Sequence, residues 1–156
     1  MKIEFWVVGK TTQDFVENGL AVYQKRLKHY LPFNFTVIPA LKKSKGLTFE
    51  QIKTKEGEEL LKKITADDYL ILLDDKGKQR TSPEFATYME KLLQRPERRA
   101  IFLVGGAYGF SDAIYRRSNA LFSLSKMTFS HQMVRVFFVE QLYRAMTILK
   151  NEPYHH

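Results

Sequence analysis

No cysteine occurs among the 156 residues, which excludes a disulfide framework, a thiolate metal site and a cysteine nucleophile. No apolar run approaches the roughly 18 residues that a membrane-spanning helix needs. The opening MKIEFWVVGK has too short an apolar run, broken by Glu4, to read as a signal peptide. A soluble, cytoplasmic protein with no membrane partner is the expectation. No repeat, linker or low-complexity segment divides the chain. One domain over 1–156 is expected, long enough to bury its own core.

Several familiar sites are missing too. VVGKTT contains Gly-Lys-Thr, but a phosphate loop needs a glycine five residues before Gly9, where Glu4 stands. VGGAYG does not have the dinucleotide spacing, and no acidic residue closes a following strand to hold a ribose. His29, His131, His155 and His156 are scattered and pair with no other donor at zinc-ligand spacing. Asp74-Asp75 suggests a hard-metal site less well than it suggests a charge-balanced turn before Lys76. No metal is expected.

Basic charge is what the sequence has in excess. Lys and Arg number 25 against 17 Asp and Glu, a net charge of +8. The plainer reading is a solvated basic surface. The functional reading is a polyanionic partner, bound with release of counterions. The cations form separate clusters, KRLKH (25–29), KKSK (42–45), KGKQR (76–80), RPERR (95–99) and RR (116–117). Such a spread suits a broad RNA or ribosome surface better than one base-reading helix, and no zinc-finger, KH or RNP signature is present.

Strands and helices alternate along the chain. Apolar or β-rich runs at 2–8, 34–40, 68–74, 99–106 and 119–125 read as strands. Helical patterns cover 12–31, 48–64, 81–95 and 131–150. Thr48 and Gln51 suggest a capping box, and Ser82 followed by Pro83 suggests an N-cap and a first helical residue. DYLILLD and RAIFLV are continuously apolar, as strands buried on both faces must be. The order implies an α/β fold with a mostly parallel sheet flanked by helices. Ligands in such folds bind outside the carboxyl ends of the strands. LLDDKGK (72–78), LVGGAYGF (103–110) and LSKMTF (124–129) should therefore build the site. Gly105, Gly106 and Gly109 mark either a tight turn with positive φ or close backbone approach to a ligand, and their place at a buried strand's exit favours the second.

Residues 124–136, LSKMTFSHQMVRV, fit no simple pattern. The stretch from Ser125 to His131 has neither period, no glycine and no proline, so the segment itself should hold something. The helix that follows is apolar nearly all round, which calls for burial on more than one side. One stripe covers the sheet, and the other is expected to meet a second copy in a homodimer. Glu140 and Arg144, four apart, either form an intrahelical ion pair or reach the site. NEPYHH reads as a frayed end, although a Pro-Tyr-His terminus after a helix is unusual for disorder.

Taken together, VGK (8–10), LDDKGK (73–78), GGAYG (105–109), LSKMTFSHQMVRV (124–136), EQLYRA (140–145) and PYHH (153–156) resemble the RlmH-type SPOUT methyltransferases of bacteria nearly end to end. Ser130 stands where that family usually has proline before the histidine. The resemblance implies a SPOUT α/β-knot, with a deep trefoil knot in the region of about residues 100–150. It implies S-adenosyl-L-methionine as cofactor, surrounded by Leu73, Gly105 and the run Leu124, Ser125, Lys126, Met127, Thr128 and Phe129. The activity implied is methylation of N3 of a pseudouridine in 23S rRNA of the assembled ribosome. Arg144 is then the candidate for stabilising the base anion, with Tyr154 and His155 positioning the base. Arg135 and His131 are left to phosphate or structural work. His155, His131, Glu140 and bulk solvent all stand as general base. The same machinery acting on another RNA such as tRNA, and a non-enzymatic RNA- or ribosome-binding module, are the alternatives.

Overall fold

The structure is a computed structural model and describes residues 1–42 and 44–156. Lys43, in the second basic cluster, lies outside the described residues. Five strands, β1 (Lys2–Val8), β2 (Phe33–Ile38), β3 (Asp68–Gln79), β4 (Arg99–Val104) and β5 (Ala120–Ser123), form one sheet in the order β2-β1-β4-β3-β5. Every pairing is parallel. The helices are α1 (Asp14–Leu27), α2 (Phe49–Leu61), α3 (Ser82–Leu93), α4 (Asp112–Arg117) and α5 (Met133–Leu149).

Alternation along the central strands divides the core in two, because successive side chains point to opposite faces. Ile3, Phe5 and Val7 of β1, with Ala100, Phe102 and Val104 of β4, meet α1, α3 and α5. Trp6 and Val8, with Leu70, Leu72, Ile101 and Leu103, meet α2 and α4. The Phe138 ring of α5 sits 4.5 Å from Phe5 and 4.8 Å from Phe102, pinning that helix to mid-sheet.

α5 is apolar on several sides because α1 and α3 flank it on the sheet. Gly19 makes the α1 approach possible, since a Cβ there would lie 2.8 Å from a Val136 methyl. The second stripe assigned above to another copy is thus used largely within the chain. Phe137, 41% exposed, is what α5 leaves outside.

Three local details differ from the sequence reading. Thr81, not Ser82, caps α3, with the reciprocal Glu84 bond of a capping box. The Thr48–Gln51 box of α2 forms as expected. α4 has six residues, too few to show a helical period. β3 runs on past Asp74 to Gln79, with a register shift in which Leu73 and Lys78 both pair with Phe122. Residues 74–77 therefore bow out around β5, and Gly77 permits it: any Cβ there would meet the Phe122 backbone at 2.5 Å.

Candidate functional site

The exits of β3, β4 and β5 enclose a cavity of about 360 Å³. Leu73, Gly105, Leu124, Ser125, Met127, Thr128 and Phe129 all line it. Lys126 is exposed and does not. The three strand exits singled out by the sequence do build one site.

Each exit is shaped by local bonds. Asp74 accepts from the Lys76 amide at 2.8 Å and from the Tyr115 hydroxyl, fixing the bowed segment and leaving Asp75 in the lining. Burial, then the bond to Asp74, raises the Tyr115 hydroxyl well above its ordinary range, so it stays a donor. After β4, the Gly109 amide donates to the Gly106 carbonyl at 3.1 Å, and Gly109 has φ +83°. Gly109 makes the turn of the first glycine reading, while Gly105 and Gly106 are packed closely against other side chains of the chain. A Cβ on Gly105 would meet the Phe110 ring at 3.0 Å, and one on Gly106 would meet a Glu56 oxygen at 2.6 Å. Burial raises the Glu56 carboxyl.

The segment between β5 and α5 is held by serines. The Ser123 hydroxyl donates to the Ser125 carbonyl at 3.0 Å, and the Met127 amide donates to Ser125 Oγ at 2.9 Å. Ser130 Oγ accepts from the Met133 amide at 3.1 Å, which starts α5 without the proline of the resemblance. The amides of Lys126, Thr128 and Phe129 have no acceptor among the described residues. A wall with unspent amide donors, beside apolar Leu73, Phe122 and Leu124, fits a ligand carrying both polar edges and apolar faces. S-adenosylmethionine is such a ligand, and the size suits it. Among the described residues no group of three His, Asp or Glu side chains could hold a metal.

Arg135 anchors this wall from behind. It is 1% exposed and donates to the carbonyls of His131 (2.9 Å), Gly9 (3.0 Å) and Val8 (3.1 Å) and to Thr11 Oγ1 (3.0 Å). Among the described residues no carboxylate pairs with it, and burial lowers its pKa. Of the two readings left open for Arg135, phosphate contact and structural work, the geometry favours the structural one, with the guanidinium spent on three carbonyls and the Thr11 hydroxyl. Gln132 adds two bonds to the same β1 exit, accepting from the Thr12 amide (2.8 Å) and donating to the Lys10 carbonyl (3.0 Å). Sequence reasoning missed that tie, since nothing local marks a contact across more than 100 residues. His131 and Val134 line the cavity although the sequence placed neither in its wall, and Asp75 and Phe110 line it from the stretches 72–78 and 103–110 that were expected to build the site.

Arg144, Tyr154 and His155 come together, but elsewhere. Arg144 donates to Glu140 Oε1 from Nη2 (2.7 Å) and Nε (3.1 Å), and its Nη1 lies 3.3 Å from His155 Nδ1. The Tyr154 ring lies 4.8 Å from the guanidinium carbon, and its hydroxyl donates to Glu140 at 2.9 Å. The ion pair and the wider cluster thus coexist. Burial, then Tyr23 and Glu140, raises the Tyr154 hydroxyl, and Glu140 raises Arg144. The tail folds back because Asn151 takes φ +55° after the helix, a conformation asparagine tolerates. None of the three lines the cavity. Ten residues of α5 separate Arg144 from Val134, about 15 Å at helical rise.

A three-layer α/β fold with a ligand cavity at the carboxyl edge of a parallel sheet is the class defined by these features. The family described as "Predicted SPOUT methyltransferase" matches residues 1–155. The chain is 53% identical over 156 residues to "Ribosomal RNA large subunit methyltransferase H" of Parabacteroides distasonis, covering 100% of this chain and 99% of that one. It is 51% identical to the protein of the same name from Christiangramia forsetii, covering 100% and 99%. For that from Cytophaga hutchinsonii the figures are 50%, 100% and 100%. A probable methylase family protein from Haemophilus influenzae shares the fold at TM-score 0.53 and 11% identity, over 99% of this chain and 70% of that one. The chain belongs to the SPOUT methyltransferase family.

Proposed function

We propose that the protein is an S-adenosylmethionine-dependent methyltransferase of large-subunit ribosomal RNA, acting on N3 of a pseudouridine in 23S rRNA of the assembled ribosome. The observation that carries the reading is the cavity wall with unspent amides at Thr128 and Phe129, in a chain half identical, end to end, to proteins named as ribosomal RNA methyltransferases. Those names disfavour both a tRNA substrate and a non-enzymatic module. The whole chain acts as one domain in the cytoplasm, where ribosomes are its substrate.

Leu73, Gly105 and the backbone of 124–129 hold the cofactor, which when bound supplies an electrophilic methyl group. Transfer is an in-line displacement, so the target nitrogen must be aligned by the protein. That nitrogen has to lose its proton, and the resulting charge spreads over the flanking carbonyl oxygens. Arg144 supplies a guanidinium to stabilise it, while Tyr154 and His155 position the base. His155, His131, Glu140 and solvent remain the choices for the proton acceptor.

The separation of Arg144 from its own cavity supports a homodimer through α5, in which one copy's tail serves its partner's cofactor. Phe137 and Phe129, with rings 5.0 Å apart, offer an apolar start for that contact. A monomer at micromolar concentration by sedimentation would refute it. The passage of β5 against the bowed residues 74–77 supports a deep trefoil knot in residues 100–150. Pulling the termini apart should leave a tightened knot, short of the full extension of ~3.3–3.6 Å per residue. Full extension would remove the knot.

The direct test is methyl incorporation from labelled cofactor into ribosomes lacking the modification, with the nucleotide mapped by mass spectrometry. Label at N3 of a 23S pseudouridine is expected. Label elsewhere discards the substrate, and no label with no cofactor binding discards the enzyme.

A further inference from the structure

Phe49 and Tyr108 stack with ring centroids 4.2 Å apart and planes 18° apart. Both are open to solvent, Phe49 at 64% and Tyr108 at 43%, and neither belongs to the core on either face of the sheet. Their supports are rigid. Phe49 follows the capped Thr48 at the start of α2, and Tyr108 stands in the turn closed by the Gly109 amide on the Gly106 carbonyl. Tyr108 lies between Ala107 and Gly109, both of which line the cavity. The pair therefore stands at the mouth of the site, outside the wall that holds a cofactor.

Cations accompany it. Lys45 belongs to a turn in which the Leu47 amide donates to the Ser44 carbonyl at 3.1 Å, one residue before the Thr48 cap. Lys42 and Lys45 are exposed and form no ion pair among the described residues. An exposed, pre-stacked aromatic face, with exposed lysines four and seven residues before Phe49 in the chain, matches what unpaired RNA offers, a flat apolar base on an anionic backbone.

We propose that the Phe49–Tyr108 pair is a stacking platform for one unpaired nucleobase of the RNA substrate next to the target nucleotide, with Lys42 and Lys45 facing its phosphates. This rests on the RNA methyltransferase reading. A platform of this kind tolerates any base, because every base has a π face, and fixed rings lower the ordering cost of binding.

The test uses the full chain, a short fluorescent single-stranded RNA, and large ribosomal subunits. The Phe49→Ala/Tyr108→Ala double variant should bind the single strand roughly tenfold more weakly, with cofactor affinity unchanged. Tyr108→Phe should bind like the wild type. Tyr108→Leu, which keeps apolar bulk without a planar face, should be weakened as the alanine variant is. Unaltered single-strand affinity in the double variant overturns the platform. Methylation lost with single-strand affinity intact assigns the pair to a ribosomal protein and overturns it as well. Wild-type protein that binds RNA through the pair but transfers no methyl leaves the platform standing and removes the methyltransferase reading.

Discussion

Arg135 Nη2 donates to the Val8 carbonyl at 3.1 Å, joining the first turn of α5 to the end of β1 across the molecule. The same guanidinium holds the carbonyls of Gly9 and His131. Arg135→Ala leaves the buried Val8 carbonyl and the partly buried Gly9 and His131 carbonyls without this donor, and opens a cavity where a fully buried side chain stood. Each stranded polar group costs about 1–3 kcal/mol, so the loss should reach about 3 kcal/mol or more. Urea unfolding measures it. A variant as stable as wild type would mean that the carbonyls find other donors.

Gly105 tests the cavity from the other side. A Cβ there meets Phe110 Cε1 at 3.0 Å and Cζ at 3.2 Å, and Phe110 is itself part of the lining. Gly105→Val should therefore displace the ring or the turn, and weaken cofactor binding by about tenfold, the equivalent of 1.4 kcal/mol. Calorimetric titration with S-adenosylmethionine reads this, with circular dichroism confirming the fold. Wild-type affinity would take Gly105 out of the cofactor site.

The parts legible in the sequence were those with short-range causes. DYLILL and RAIFLV announced buried central strands because no polar residue interrupts them, and Thr48 announced its helix through a bond three residues long. The strand exits followed from the order of elements. The hidden parts depend on long-range contact. β3 continues through Asp74 and Lys78 only because β5 pairs with it on both sides of the bow, and a polar DDKGKQ has no strand signature of its own. Phosphate and structural work for Arg135 could not be separated in the sequence, because the Val8 and Gly9 carbonyls that take its donors come from the other end of the chain. The apolar girth of α5 has a cause within the chain, since α1 and α3 both pack against it, and girth alone does not separate that packing from contact with a second copy. The three residues proposed for catalysis were found together, yet their distance from the cavity depends on how far along α5 Arg144 stands, with the tail residues packed onto it.

Arg144→Ala should lower turnover on ribosomes by about 10²–10³, the usual cost of removing a donor to developing negative charge. Cofactor affinity should stay nearly unchanged, because Arg144 does not line its own cavity. Removal of residues 153–156 should behave alike, since Tyr154 and His155 pack on the same guanidinium. Single-turnover methyl transfer beside equilibrium cofactor binding separates the two effects. Unchanged turnover in Arg144→Ala would end its assigned role, and unchanged turnover in the truncation would remove the tail from the mechanism.

Two carboxylates should respond to pH in opposite senses. Burial by itself would raise the Asp68 carboxyl, but Arg99, at 2.6 and 2.8 Å, and the Thr65 amide, at 2.8 Å, outweigh it and hold it low. A lowered carboxyl contributes stability above the ordinary carboxylate range and loses it as pH falls through its folded value. Asp68→Asn should thus be less stable than wild type at neutral pH and converge with it in acid. Glu56 runs the other way, because burial raises it and no partner among the described residues offsets the cost. Its contribution is complete below the ordinary carboxylate range and disappears as pH rises through the raised folded value. Glu56→Gln should therefore match wild type in acid and exceed it at neutral pH, with the gap opening between. Urea midpoints across the range decide both. If Glu56→Gln gains nothing at neutral pH, the carboxylate beside Gly106 has a compensating donor in solution, and the turn after β4 is held from both sides rather than merely crowded.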